Sequence, residues 1–142
     1  MRAQSWMAYE PVTVTPDDSI RDARKLMRLR GVRHLPVVER DRVVGMLSDR
    51  DVRITDVELE GITEPGDVAD VAGEERTVRE LMSSPVHVIG EDATVEDAAR
   101  LMVSRRISSV PVVTEEGRLV GLLTTTDCLL AFLSTASEAR EG

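Results

Sequence analysis

Apolar residues at Ile20, Ala23 and Met27 recur at helical spacing, and Ser19 stands just before them with Asp22 three residues on. That arrangement predicts a helix with a serine N-cap and an acid in its first turn. The period then changes. "LPVV" (35–38) reads as a buried strand, "ERD" as a polar turn, "VVGML" (43–47) as a second strand, and "DRDVRITDV" (49–57) as a further helix. A short β-branched run, Val12–Val14, precedes the first helix.

The chain then says the same thing again. "SIRDARKLMRLRGVRHLPVV" (19–38) and "TVEDAARLMVSRRISSVPVV" (94–113) are identical at eight of twenty positions, including Asp22/Asp97, Leu26/Leu101, Met27/Met102 and Pro36/Pro111. The register continues, with one residue added in the turn, as "VVGMLSDRD" against "LVGLLTTTD". Upstream, "PVTV" (11–14) answers "PVHV" (85–88), so a strand is expected at Val86–Val88. Two copies of a β-α-β-β-α unit therefore predict an α+β fold, divided as 1–55, an acidic connection 56–76, and 77–142. A unit this small buries too little surface alone, which favours two copies packed about a pseudo-two-fold axis around a shared core, with two related clefts. In the connection, Thr77 and Glu80 of "TVRELM" match a capping box, and "SWMAYEP" is its counterpart ahead of the first copy.

Charge sharpens this division. Of 26 acids, eight fall between Thr55 and Glu75, where there is no Lys or Arg, and the rest of the chain balances at 18 acids against 18 bases. The net charge of −8 is therefore a property of the connection, for which Val57, Leu59, Ile62, Val68 and Val71 predict a partly ordered loop. Nucleic acid is disfavoured as a main partner, since affinity there rests on neutralising phosphates and on stacking, and Trp6, Tyr9 and Phe132 are the only aromatics. No run reaches the roughly 18 apolar residues of a membrane span and no signal-peptide core is present, so a cytoplasmic address is expected. Cys128 has no partner for a disulfide, and with His34 and His87 it falls short of a zinc site, so no metal is expected.

The chemistry concentrates at the end of each hairpin. "SDRD" and "TTTD" place Ser48 and Asp51, or Thr124 and Asp127, one helical turn apart. The bland reading is helix capping, which is all that "SIRD" and "TVED" imply. The functional reading is the polar rim of a ligand site, since a carboxylate can accept charge-assisted hydrogen bonds from hydroxyls and a helix start can meet an anion. Beside them, Arg33 and His34 in the first copy, against Ser108 and Ser109 in the second, and Arg50 against Thr126, predict two unequal sites, the first better suited to a polyanion. Arg21, Arg24, Lys25 and Arg28 share the face opposite Ile20, Ala23 and Met27 and read as a solvated helix surface.

Taken together, "GVRHLPVVERDRVVGMLSDRD" and "RISSVPVVTEEGRLVGLLTTTD", each behind a capped helix ending in Leu-Met, resemble a tandem pair of cystathionine-β-synthase-type (CBS) domains. The resemblance spans roughly residues 11–55 and 77–133. It implies a sensor of an adenosine ligand (AMP, ADP, ATP or S-adenosylmethionine) and a homodimer of four domains. Carried over by position, it implies ribose-binding aspartates at Asp51 and Asp127 and phosphate-side hydroxyls at Ser48 and Thr124. It also implies adenine-contacting backbone at Arg33–Leu35 and Ser108–Val110.

Three functions compete on these grounds. The favoured one is a stand-alone regulatory module that binds such a nucleotide and signals to an effector protein in trans. The alternative is a ligand-free structural or interaction dimer, its Ser/Thr-x-x-Asp motifs acting as caps alone. An enzyme is the weakest, for want of a nucleophile–base pair, a metal cluster or a phosphate-cradling glycine loop.

Overall fold

The computed structural model describes residues 1–53 and 76–141, with side chains through 137. The outer part of the 49–57 helix and the apolar anchors Val57 to Val71 lie outside the described residues. In chain order the elements are a 3-10 turn (Ala3–Ser5), β1 (Ala8–Tyr9), α1 (Ile20–Arg30), β2 (His34–Glu39), β3 (Arg42–Ser48) and α2, helical over 49–53. There follow α3 (Val78–Leu81), β4 (Ile89–Gly90), α4 (Val95–Arg105), β5 (Ser109–Val113), β6 (Leu119–Thr124) and α5 (Thr125–Glu141).

The predicted helices form for the predicted reasons. Ser19 Oγ accepts from Asp22 N at 3.1 Å, and α1 buries Ile20, Ala23 and Met27. At α4, Thr94 and Asp97 exchange two bonds of 3.0 and 3.2 Å, and Val95, Ala98 and Met102 are buried. Each hairpin is antiparallel, β2 with β3 and β5 with β6, and each carries a bulge, at Val37/Val38 and Val112/Val113. The architecture is thus mixed α+β, with two copies of one unit.

The contacts divide the chain into two compact units that do not follow the repeat boundaries. One contains Met1–Pro11 with His87–Gly142, the other Val12–Val86. Each copy is completed by the segment that precedes its twin. Ile20 N donates to Arg76 O (2.8 Å) and Val78 N to Asp18 O (2.9 Å), while Val95 N donates to Met1 O (2.9 Å) and Ala3 N to Ala93 O (3.0 Å). Ala3 and Val78 are fully buried, each in the core of the unit it joins. The boundaries 1–55 and 77–142 mark the repeats along the sequence, whereas the spatial units exchange their leading segments.

Two local expectations change for related reasons. The strand anticipated at Val86–Val88 lies at Ile89–Gly90, where Ile89 pairs with Val112 in parallel. The matching residue in the first copy is Val14, paired with Val37 in an isolated bridge. Val14 and Ile89 are 75 residues apart, as are Ser19 and Thr94, so "PVTV" and "PVHV" are out of register by one. Burial decides it: Val14 and Ile89 are buried, and Val88 is 39% exposed. The capping box expected at Thr77 and Glu80 does not form; the Thr77 side chain makes no cap bond and Glu80 accepts from Arg76 Nε at 3.0 Å. The start of α3 needs no side-chain acceptor, because Val78 N and Arg79 N already donate to Asp18 O and Pro16 O.

The glycine of each "VVGML/LVGLL" strand is set by a methionine. A Cβ on Gly45 would stand 2.7 Å from Met82 Sδ and 3.0 Å from Ser83 O, and one on Gly121 would overlap the side chain of Met7. Gly45→Ala is therefore expected to cost about 1–3 kcal/mol, since the backbone carbonyl has to move. Gly31 and Arg106 both close their helices in the left-handed region, at φ 62° and 55°. Arginine is strained there and glycine is not. Arg106→Gly is expected to raise stability by about 0.5–1 kcal/mol, read by urea unfolding, and an unchanged midpoint would count against strain at that cap.

Candidate ligand-binding site

Each site begins where a buried strand turns into a helix. Leu47 and Leu123, both fully buried, anchor the ends of β3 and β6. Strand register then places His34 opposite Ser48 in one unit and Ser109 opposite Thr124 in the other. The first helical N–H is taken by the neighbouring strand: Asp49 N donates to Arg33 O at 2.9 Å, and Thr125 N to Ser108 O at 3.0 Å.

The Ser/Thr-x-x-Asp motifs close as reciprocal caps. Ser48 N donates to Asp51 Oδ2 (2.9 Å) and Asp51 N to Ser48 Oγ (3.2 Å). Thr124 N donates to Asp127 Oδ2 (2.8 Å), Asp127 N to Thr124 Oγ1 (3.3 Å), and the threonine hydroxyl to the same Oδ2 (2.9 Å). Every bond of the Asp127 carboxylate among the described residues uses Oδ2, so Oδ1 is available to an outside donor. The N–H groups of Arg50 and Thr126, in the middle of each first turn, have no partner among the described residues. In the second copy a carboxylate oxygen and a helix-start N–H thus stand within one turn, a pairing suited to a diol next to an anion.

The strand partners of these caps divide between two faces. Leu35, Val37 and Leu47 enter the core against α1, and alternation puts His34, Pro36, Met46 and Ser48 on the other side. In the second copy Val110, Val112 and Leu123 face the core, and Ser109 sits with Thr124 on the opposite face, buried. His34 and Ser48 are thereby brought together, as are Ser109 and Thr124. Arg33 is not brought to His34; it lines a groove with Arg24, Met27 and Arg28 of α1. Ser108 is exposed and meets Thr125 through its carbonyl. Arg50 is exposed on the first turn of α2. At these junctions the copies differ in His34 against Ser109 and in Arg50 against Thr126.

Electrostatics single out His34. Burial lowers its pKa below 6.5, with Arg33 acting in the same direction, while Asp49 and Asp51 pull it up. Asp49 is a neighbour that the motif reading passes over; it stands one residue after Ser48 and also pairs with Arg53 at 3.1 Å. Its signal was the "SD" of "SDRD", an acid at the first helical position. Cys128 is buried in the core, and burial first and Asp127 second raise its pKa, which keeps it a thiol. Among the described residues no group of three His, Cys, Asp or Glu side chains could hold a metal ion, and no helix is long and apolar enough to cross a membrane.

Comparison with known proteins places the fold in a family. A family model described as "CBS domain" matches residues 3–57 and 78–134. The chain is 32% identical over 126 residues to an inosine-5'-monophosphate dehydrogenase of Korarchaeum cryptofilum, covering 89% of this chain but only 23% of that enzyme. It is 31% identical over 133 residues to the CBS domain-containing protein YhcV of Bacillus subtilis, covering 92% of this chain and 85% of that protein. The fold matches the crystal structure of CBSX2 in complex with AMP with a TM-score of 0.76 and 29% identity, over 95% of this chain and 98% of that one.

His34 supplies a pH signature. Its folded pKa lies below the unfolded value, so the folded state takes up fewer protons as pH falls through 6.5. Stability present above that pH is lost below it. The thermal midpoint is expected to fall between about pH 7.5 and pH 5.5, and to fall less in His34→Gln. An equal fall in both proteins would remove His34 as the cause.

Proposed function

This chain belongs to the CBS-domain family as a tandem pair, and from that premise we propose that it is a regulatory module binding an adenosine nucleotide and signalling to a partner protein by conformational change. The observation carrying this reading is the twin junction itself. In both copies a strand ends in a hydroxyl residue, a helix starts with an N–H that has no partner among the described residues, and an aspartate stands one turn on. Asp51 and Asp127 are assigned to the ribose, Ser48, Thr124 and the Arg50 and Thr126 amides to the phosphates, and the backbone at His34 and Ser109 to the base. His34 and Arg50 make the first copy the one for the more highly phosphorylated ligand, AMP, ADP, ATP and S-adenosylmethionine being the candidates. The neighbour solved with AMP supports the ligand class. A non-catalytic role accords with a thiol held protonated and aspartates engaged in caps.

The reciprocal caps also favour a second reading, in which these motifs do nothing more than start helices and the chain is a ligand-free interaction module. Titration calorimetry with the four ligands separates the two. Asp127→Asn keeps a capping acceptor but removes the charge, so folding is preserved while nucleotide affinity is expected to fall by about tenfold or more. Wild type that binds none of the four ligands would favour the caps-only reading. Equal binding by wild type and Asp127→Asn would move the ribose site elsewhere.

The homodimer is assigned to the outer face of α5, where Leu129, Leu130 and Leu133 are 57%, 52% and 66% exposed. Leucines exposed together along one helix favour burial against a second copy. Leu130→Glu with Leu133→Glu is expected to shift the sedimenting species from dimer to monomer. A double variant that still sediments as a dimer would place the interface on another surface.

A further inference from the structure

The two copies carry the same groove between their helices, and its walls differ in kind. In the second copy it lies between α4 and α5, with about 270 Å³ of space, and is lined by Ala99, Met102, Val103, Ile107, Cys128 and Leu129, among others. In the first copy it lies between α1 and α2, with about 410 Å³, over a floor of Met27, Val32 and Val52. Those three floor residues match Met102, Ile107 and Cys128 and remain apolar. The walls do not. Arg24, Arg28, Arg33 and Arg53 stand where the second copy has Ala99, Val103, Ser108 and Leu129.

Four guanidinium groups therefore converge from three separate segments on one apolar-floored groove. Among the described residues the one carboxylate in its lining, Asp49, is engaged with Arg53 at 3.1 Å. A solvated helix face explains Arg21 or Lys25, but it does not explain arginines arriving from α1, from the start of β2 and from α2 at one concavity. We propose that this groove is a docking site for an acidic peptide segment of a partner protein, one that alternates carboxylates with aliphatic side chains. The guanidinium forks suit carboxylates in paired hydrogen bonds, and the Met27–Val32–Val52 floor gives aliphatic side chains a dry surface, which a free inorganic anion would leave unused. Single-stranded nucleic acid is the poorer occupant, because no aromatic side chain lines the groove to stack on a base.

The groove lies apart from the ribose-side carboxylates, so the two sites separate experimentally. The probe is a fluorescein-labelled synthetic peptide of glutamates with leucine at every third or fourth position, titrated into the full chain at physiological salt and read by anisotropy. The expected result is saturable binding that weakens by about tenfold or more in the double variant Arg28→Glu/Arg53→Glu, while the calorimetric response to nucleotides is unchanged. Arg28→Gln/Arg53→Gln, a milder change should the reversal perturb folding, is expected to fall between the two. A peptide with glutamine in place of glutamate is expected not to bind. No binding by wild type, equal binding by the variants, or tighter binding of inorganic triphosphate or of an oligothymidylate than of the peptide would each overturn the proposal. Loss of nucleotide binding alone would count against the function proposed above and leave this groove standing.

Discussion

The backbone pairing between each helix start and the other copy's leading segment is the interaction from which the rest follows. Ile20 and Val95 begin the main helices, and both donate their N–H to a carbonyl that arrives from a distant part of the chain, Arg76 and Met1. The helix N-terminus leaves several donors without intrahelical partners, and here a strap of foreign backbone meets one of them. The same strap delivers Ala3 or Val78 to the core and brings Met7 or Met82 onto the glycine of the second hairpin strand. The Val-Gly-hydrophobic-Leu signature is thus a docking requirement for a methionine more than a turn requirement.

From that scaffold the junctions inherit their geometry. Hairpin register is fixed by Leu35 opposite Leu47 and Val110 opposite Leu123 on the core side. A slip of one residue would turn those side chains outward, so burial alone holds His34 beside Ser48 and Ser109 beside Thr124. Capping does not use up the carboxylate, because every printed hydrogen bond that Asp127 accepts among the described residues is made to Oδ2.

Much of this was legible beforehand, and the exceptions share a cause. Helical spacing behind Ser19 and Thr94 located both main helices and their buried residues, since local capping and periodicity decide them. The Ser/Thr-x-x-Asp junctions were equally local. What escaped was whatever a remote partner determines. "PVHV" imitates "PVTV" in letters, yet Val112 selects Ile89 as its partner. Thr77 has the letters of a capping box, but Asp18 and Pro16 supply the acceptors first. Arg33 and His34 are adjacent in sequence and fall to opposite faces, one toward the α1 groove and one toward Ser48.

The exchanged straps also bear on what happens if the chain is cut. A break anywhere between 54 and 75 leaves two fragments, each holding the strap that completes the other. Neither piece retains a full complement of backbone acceptors or a closed core, so each is an incomplete half seeking its match. The two repeats therefore depend on one another through their leading segments, and not through the covalent connection alone.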